Sequence, residues 1–159
     1  MKIRKMNSAD LPALYDVYTD KEVVNNNRYV ADIKRDEFDS MFNDNQHNFV
    51  AVESDGKLLG HLAINTTEKP RLQHSASFGV AVAKAYRGKG VGRFLMEHLL
   101  SYCDDELNLI RLELEMHANN DAALALYKSF GFEIEGIKRK AVLVEDELVD
   151  IVIMSRVRI

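Results

Sequence analysis

The run from Phe78 to Arg93 constrains this chain more than any other stretch. An apolar, strand-like segment, Phe78-Gly79-Val80-Ala81-Val82-Ala83, leads through Tyr86-Arg87 to three alternating glycines, Gly88, Gly90 and Gly92, and then to a helical pattern. Glycine adopts backbone conformations closed to other residues and lets a ligand approach closely. The first amides of a helix point outward unbonded, and the helix dipole behind them attracts an anion. Arg87, Lys89 and Arg93 concentrate positive charge in a chain whose net charge is −4. The order of features describes a seat for a phosphorylated ligand, and a glycine-rich turn with merely solvated basic residues is the plain alternative. Two other phosphate motifs are excluded. A P-loop needs a hydroxyl residue after its lysine, and Lys89 is followed by Gly90; the dinucleotide fingerprint needs a glycine where Arg93 stands.

A length of 159 residues suits one domain with a sizeable core, taken here as residues 1–159. The acidic balance argues against a nucleic-acid partner, which would need a broad basic face. One cysteine, Cys103, rules out an intramolecular disulfide and continues the apolar stripe of its helix, so it reads as a small core residue. Nothing approaches the apolar length of a membrane span, and Met1-Lys2-Ile3-Arg4-Lys5 leads into no signal-peptide core. A cytoplasmic location without a membrane partner is the expectation.

Met1–Met6 alternates as a short strand, and Leu11, Leu14, Tyr15 and Tyr18 recur at helical spacing after the cap residues Asn7-Ser8-Ala9-Asp10. Residues 21–30 are expected to form a polar loop, and residues 34–44 a second helix carrying Phe38, Met41 and Phe42. His47–Glu53 and Lys57–Asn65 are strand patterns joined through Ser54-Asp55-Gly56, a hairpin signal. A long strand from about Gln73 to Ala83 delivers the glycine run. Val91, Phe94, Leu95, His98, Leu99, Tyr102 and Cys103 then form a helical stripe, in which His98 reads as a packed, hydrogen-bonded core histidine. Ile110–Met116 alternates, with Glu113 and Glu115 on the polar side. Ala123, Leu126, Tyr127 and Phe130 mark another helix ended by Gly131. Two strands, 132–144 and 148–157, flank Glu145-Asp146-Glu147, a turn whose type is left open by its lack of glycine. The order βαα-βββ-αβ-αββ implies an α+β fold with a mixed, mostly antiparallel central sheet of about seven strands, flanked by about four helices. No metal constellation is expected.

Arg87, Gly90 and Gly92 satisfy the pattern [QR]-x-x-G-x-[GA] that opens the coenzyme motif of the GNAT N-acetyltransferases. Downstream, Asn120-Asp121-Ala122-Ala123-Leu124-Ala125-Leu126-Tyr127, followed by Gly131-Phe132, is similar to that family's second signature. The chain therefore resembles the GNAT superfamily over its whole length. The resemblance implies acetyl-CoA as cosubstrate, its pyrophosphate on the amides of Arg87, Gly88, Lys89, Gly90, Val91 and Gly92 with Arg93 nearby. It places the pantetheine arm along the backbone of Val80 and Val82, exposed where one strand splays from the next, with Asn120 bonding the arm. A free amide, that of Val82, would polarise the thioester carbonyl.

By the same resemblance Tyr127 is the general acid for the departing thiolate, a packed core aromatic being the other reading. Glu115 stands where some members carry a basic carboxylate, which burial would make more basic; a solvated charged face and an ordered water chain remain the alternatives. Residues Asn25 to Tyr29 fall where relatives form the acceptor pocket, a solvated loop being the other reading. Gly60-His61-Leu62, the stretch 131–136 and Leu148-Val149-Asp150 resemble the bacterial branch of L-amino-acid and ribosomal-protein N-terminal acetyltransferases. The expected acceptor is a small primary amine, an L-amino acid first, then a protein N-terminus or a polyamine. A non-catalytic acyl-CoA-binding regulator is the reading from another class. Relatives that pair through sheet edges or helices make a homodimer an open expectation.

Overall fold

The computed structural model describes residues 1–25, 34–42 and 46–158. Seven strands run as β1 (Lys2–Lys5), β2 (Gln46–Val52), β3 (Leu58–Asn65), β4 (Ser75–Val82), β5 (Arg111–His117), β6 (Glu133–Val144) and β7 (Glu147–Val157). They form one sheet in the order β1-β2-β3-β4-β5-β7-β6, antiparallel except where β4 and β5 run parallel. The α-helices are α1 (Leu11–Tyr18), α2 (Lys21–Asn25), α3 (Arg35–Asp39), α4 (Val91–Ser101) and α5 (Asp121–Ser129). This is the α+β architecture that the element order implies.

Strand parity divides the core. Even-numbered residues of β3 and β4, among them Leu62, Ile64, Ala76 and Phe78, join Leu112, Leu114 and Met116 of β5 beneath α4 and α5. On the other face Val50 and Val52 of β2 pack with Leu14 of α1 and Phe38 of α3. Side chains alternate across a pleated strand, so beyond the irregularity opposite Ala51 and Val52 the odd residues of β3, from His61 on, and those of β4 and β5 belong to the second face.

Helix α4 comes unusually close to the sheet. A Cβ at Gly60 would lie 2.9 Å from the Ala81 carbonyl oxygen and 3.0 Å from both Leu95 Cδ1 and Val91 Cγ1. Gly60 is thus required by packing, and it fixes the height of the helix start over the sheet.

Two local readings need correction, and one left open is decided. Residues 21–25 of the expected loop are helical, because the Asp20 carboxylate caps the backbone N–H groups of Glu22 and Val23 while its carbonyl accepts from Val24 at 2.9 Å. Residues 26–29 of the expected acceptor segment lie outside the described residues. The stripe through Cys103 is α-helical only to Ser101, then widens into a π turn over Tyr102–Glu106, with Leu107 N–H on the Tyr102 carbonyl. The glycine-free turn is built from Glu145 and Asp146, both at positive φ of 47° and 65°. Two left-handed central residues match the twist of paired strands.

Gly60→Ala should cost about 1–3 kcal/mol of stability, the usual range for overpacking, read as a lower denaturation midpoint at unchanged slope.

Candidate active site

The parallel pairing of β4 and β5 stops early. It joins Ser75, Ala76 and Ser77 to Arg111, Leu112 and Glu113 and goes no further. Ala83 N–H bonds the Leu59 carbonyl at 2.8 Å, so by alternation the odd residues of β4 bond β3. On the opposite edge the His74 carbonyl accepts from Ile110 and Arg111 at 2.9 and 3.0 Å. The C=O of Phe78 and the N–H and C=O groups of Val80 and Val82 therefore point into the opening that β5 vacates. A cleft of about 1020 Å³ runs through it.

At one mouth of the cleft lies the glycine loop. Gly88 and Gly90 have φ of 72° and 84°, the left-handed region that makes glycine necessary there. Gly90 is the N-cap of α4, and its carbonyl takes the Phe94 N–H at 3.0 Å. The N–H groups of Val91, Gly92 and Arg93 precede that first helical bond and are the donors an anion would meet. Gly88, Gly90, Val91 and Gly92 all line the cleft.

The basic residues do not converge as a cluster. Arg87 lines the cleft, but its guanidinium bridges Asp20 at 2.7 Å and Glu22 at 2.6 Å, tying the loop to the junction of α1 and α2. The Arg87 guanidinium beside Asp20 holds that carboxyl below the usual range, against the opposing effect of burial. Lys89 sits over the Tyr86 ring at 5.7 Å, and Arg93 lies over Phe130 at 5.0 Å with an Nη on Ser129. Neither of these two side chains lines the cleft. Of the three cations only Arg87 lines the cleft, and it is ion-paired, so the free donors facing the cleft here are backbone amides.

Val80, Val82, Asn120, Tyr127 and Glu115 also line the cleft. Asn120 caps α5, its Oδ1 accepting from Ala123 N–H at 3.2 Å. Tyr127 packs edge-on to Phe78 at 5.9 Å, and burial pushes its phenol up to about 12. Glu115 departs from the expected buried carboxylate: it is 31% exposed and paired with Lys138 at 2.8 Å. Both side chains stand on the open second face of the sheet, which explains the difference. His98 is packed as expected, 4.5 Å from the Phe49 ring, but its buried Nε2 has no hydrogen-bond partner among the described residues.

Several lining residues carry no role in the sequence reading. Tyr18 hydroxyl lies 2.6 Å from His61 Nδ1, and His61 Nε2 lies 2.9 Å from Asn48 Oδ1. Beside them Gln46 Nε2 donates to Asn65 Oδ1 at 2.9 Å, and Asn65 Nδ2 to Ser77 Oγ at 3.3 Å. Polar residues at alternate positions of otherwise apolar strands were the available signal. These side chains occupy the face opposite α4.

The family model described as the acetyltransferase (GNAT) family matches residues 11–132. The chain belongs to this family. GNAT acetyltransferases use acetyl-CoA. Among its relatives, the L-amino acid N-acetyltransferase AaaT of Escherichia coli K12 is 39% identical over 104 residues, 65% of this chain and 64% of that enzyme. The ribosomal protein bS18-alanine N-acetyltransferase of the same organism is 36% identical over 60% of this chain and 64% of its own length. The matches thus span slightly under two thirds of both enzymes. The solved structure of a ribosomal-protein-alanine N-acetyltransferase from Brucella melitensis superposes with a TM-score of 0.84 at 25% identity, covering 99% of both chains. Among the described residues of this GNAT domain no helix is long and apolar enough to cross a membrane, and no group of side chains is arranged to hold a metal ion.

Burial lowers His61 from 6.5 to about 4 in the folded GNAT domain. The unfolded chain binds the extra proton first, so His61 contributes its full stability above about 6.5 and loses it as the pH falls toward 4. His47 and His98, also lowered by burial, act in the same direction. Unfolding at pH 5 should be accompanied by proton uptake, and His61→Asn should reduce that uptake by about one proton, measured from denaturation midpoints between pH 5 and 7.

Proposed function

We propose that this protein transfers the acetyl group of acetyl-CoA to a primary amine, with L-amino acids as the leading acceptor class. The observation that carries the proposal is the unpaired edge of β4, open between a glycine-capped helix start on one face and a polar chamber on the other. The residues present suit the coenzyme. Main-chain amides from Arg87 to Gly92 would hold its pyrophosphate. Val80 and Val82 would bond the pantetheine as a neighbouring strand does, with the Asn120 amide group beside it. When bound, acetyl-CoA supplies an acetyl group activated as a thioester.

The residues of the chain supply the remaining steps. Val82 N–H stabilises charge on the carbonyl oxygen as the amine attacks. Tyr127, kept protonated by burial at neutral pH, donates its proton to the leaving sulfur, whose ordinary pKa is about 8.5. Glu115 takes the proton from the incoming ammonium, directly or through water. An α-amine titrates near 7.7–8.0, so part of it is already neutral near neutral pH and a weak base suffices. The 39% match to an L-amino acid N-acetyltransferase supports a free amino acid as acceptor. A second reading, the α-amine of a protein N-terminus, is supported by the likeness to ribosomal-protein acetyltransferases.

The test is thiol release from acetyl-CoA against a panel of amino acids, polyamines and free-N-terminal peptides. Release should require both substrates, and peptides exceeding amino acids would favour the second reading. Tyr127→Phe should lower kcat about 100-fold, within the usual range for a general acid, while leaving acetyl-CoA binding intact. Coenzyme binding with no turnover across the panel would instead indicate a regulator.

A further inference from the structure

The chain from Tyr18 through His61 to Asn48 is unused by the mechanism above, yet it has a fixed direction. An amide oxygen only accepts, so His61 Nε2 carries the imidazole hydrogen and donates it to Asn48. Nδ1 is then left with a lone pair, and the Tyr18 hydroxyl must donate to it across 2.6 Å. The Tyr18 oxygen has spent its only hydrogen. Toward any third partner it offers lone pairs alone. Burial keeps His61 neutral far below physiological pH and raises the Tyr18 phenol above its ordinary value, so neither end of the chain reverses or ionises there.

Its position ties it to the reacting centre. His61 is opposite Ala81 in the β3–β4 register, the residue between Val80 and Val82. Both Tyr18 and His61 line the cleft, on the face away from α4. On the same wall the Gln46 Oε1 is a second acceptor, buried and without a partner among the described residues. Val23, Met41 and Phe42 complete this corner, with the Phe42 ring 5.9 Å from that of His61. A surface offering lone pairs within an apolar frame suits an N–H donor.

We propose that Tyr18, oriented by His61 and Asn48, receives an N–H of the acceptor amine, and that the acceptor carries an apolar substituent lying against Val23, Met41 and Phe42. This rests on the acetyltransferase reading and names the acceptor subsite within it. His61 and Asn48 are positioning residues, since they act only by committing the Tyr18 hydrogen.

The test is a double-mutant cycle on kcat/KM for the acceptor. Tyr18→Phe keeps the ring, which packs on Phe38 at 5.7 Å, and should lower kcat/KM for the amine by about tenfold or more, the worth of a hydrogen bond to a charged group, with the KM for acetyl-CoA unchanged. His61→Leu should give a similar loss, and combining the two should add nothing further, because both delete one interaction. His61→Asn, whose amide oxygen stands near the former Nδ1, should recover part of the loss. Phenethylamine should be acetylated more efficiently than ethanolamine by the wild type. Tyr18→Phe within twofold of wild type, multiplicative losses in the double variant, or ethanolamine as the better acceptor would overturn the proposal. A wild type that turns over no amine would fail at the acetyltransferase reading instead, and the subsite with it. Should His61→Leu not fold, Tyr18→Phe and the amine pair still decide.

Discussion

Everything at this site depends on two strands ceasing to pair. Inside a sheet every backbone donor and acceptor is ordinarily consumed by a neighbour. Here β4 has its full complement on the β3 side and loses it on the β5 side after Ser77. The gap persists because each strand is held from behind: β4 by six residue pairs to β3, and β5 by seven to β7. A strand edge that elsewhere would invite aggregation is enclosed within a cleft between two packed faces.

The second organising element is the approach of α4 to the sheet. Gly60 permits it sterically, Gly90 permits the left-handed entry, and the apolar stripe from Val91 to Leu99 holds the helix down. Its unbonded amides are consequently aimed along the same cleft that receives the edge of β4. Arg87 is compensated by Asp20 and Glu22 and the Lys89 and Arg93 side chains lie outside the cleft, so the free donors facing it at this end are backbone amides.

Much of this was legible in the residues. The glycine spacing placed the loop, alternation placed the strands, and Tyr127, Asn120, Val80 and Val82 all come to the cleft they were expected to share. What the chain order conceals is long-range. The pairing of Arg87 with Asp20 spans 67 positions, so its guanidinium read as available charge. Glu115 meets Lys138 only because β7 lies between their strands. The Tyr18–His61–Asn48 chain joins a helix to two strands, and each member alone resembles a packing residue or a solvated polar one. The helix after Asp20 was missed for a local reason: a single capping aspartate was outweighed by the asparagines that follow it.

The tie between Arg87 and the α1–α2 junction bears on how such enzymes diversify. An exchange of the first two helices between family members transplants one half of an ion pair whose other half belongs to the glycine loop. Chimeras that carry Asp20 and Glu22 into a partner lacking the arginine would set two uncompensated carboxylates beside the glycine loop. In this chain the first two helices and the glycine loop therefore share one charge balance.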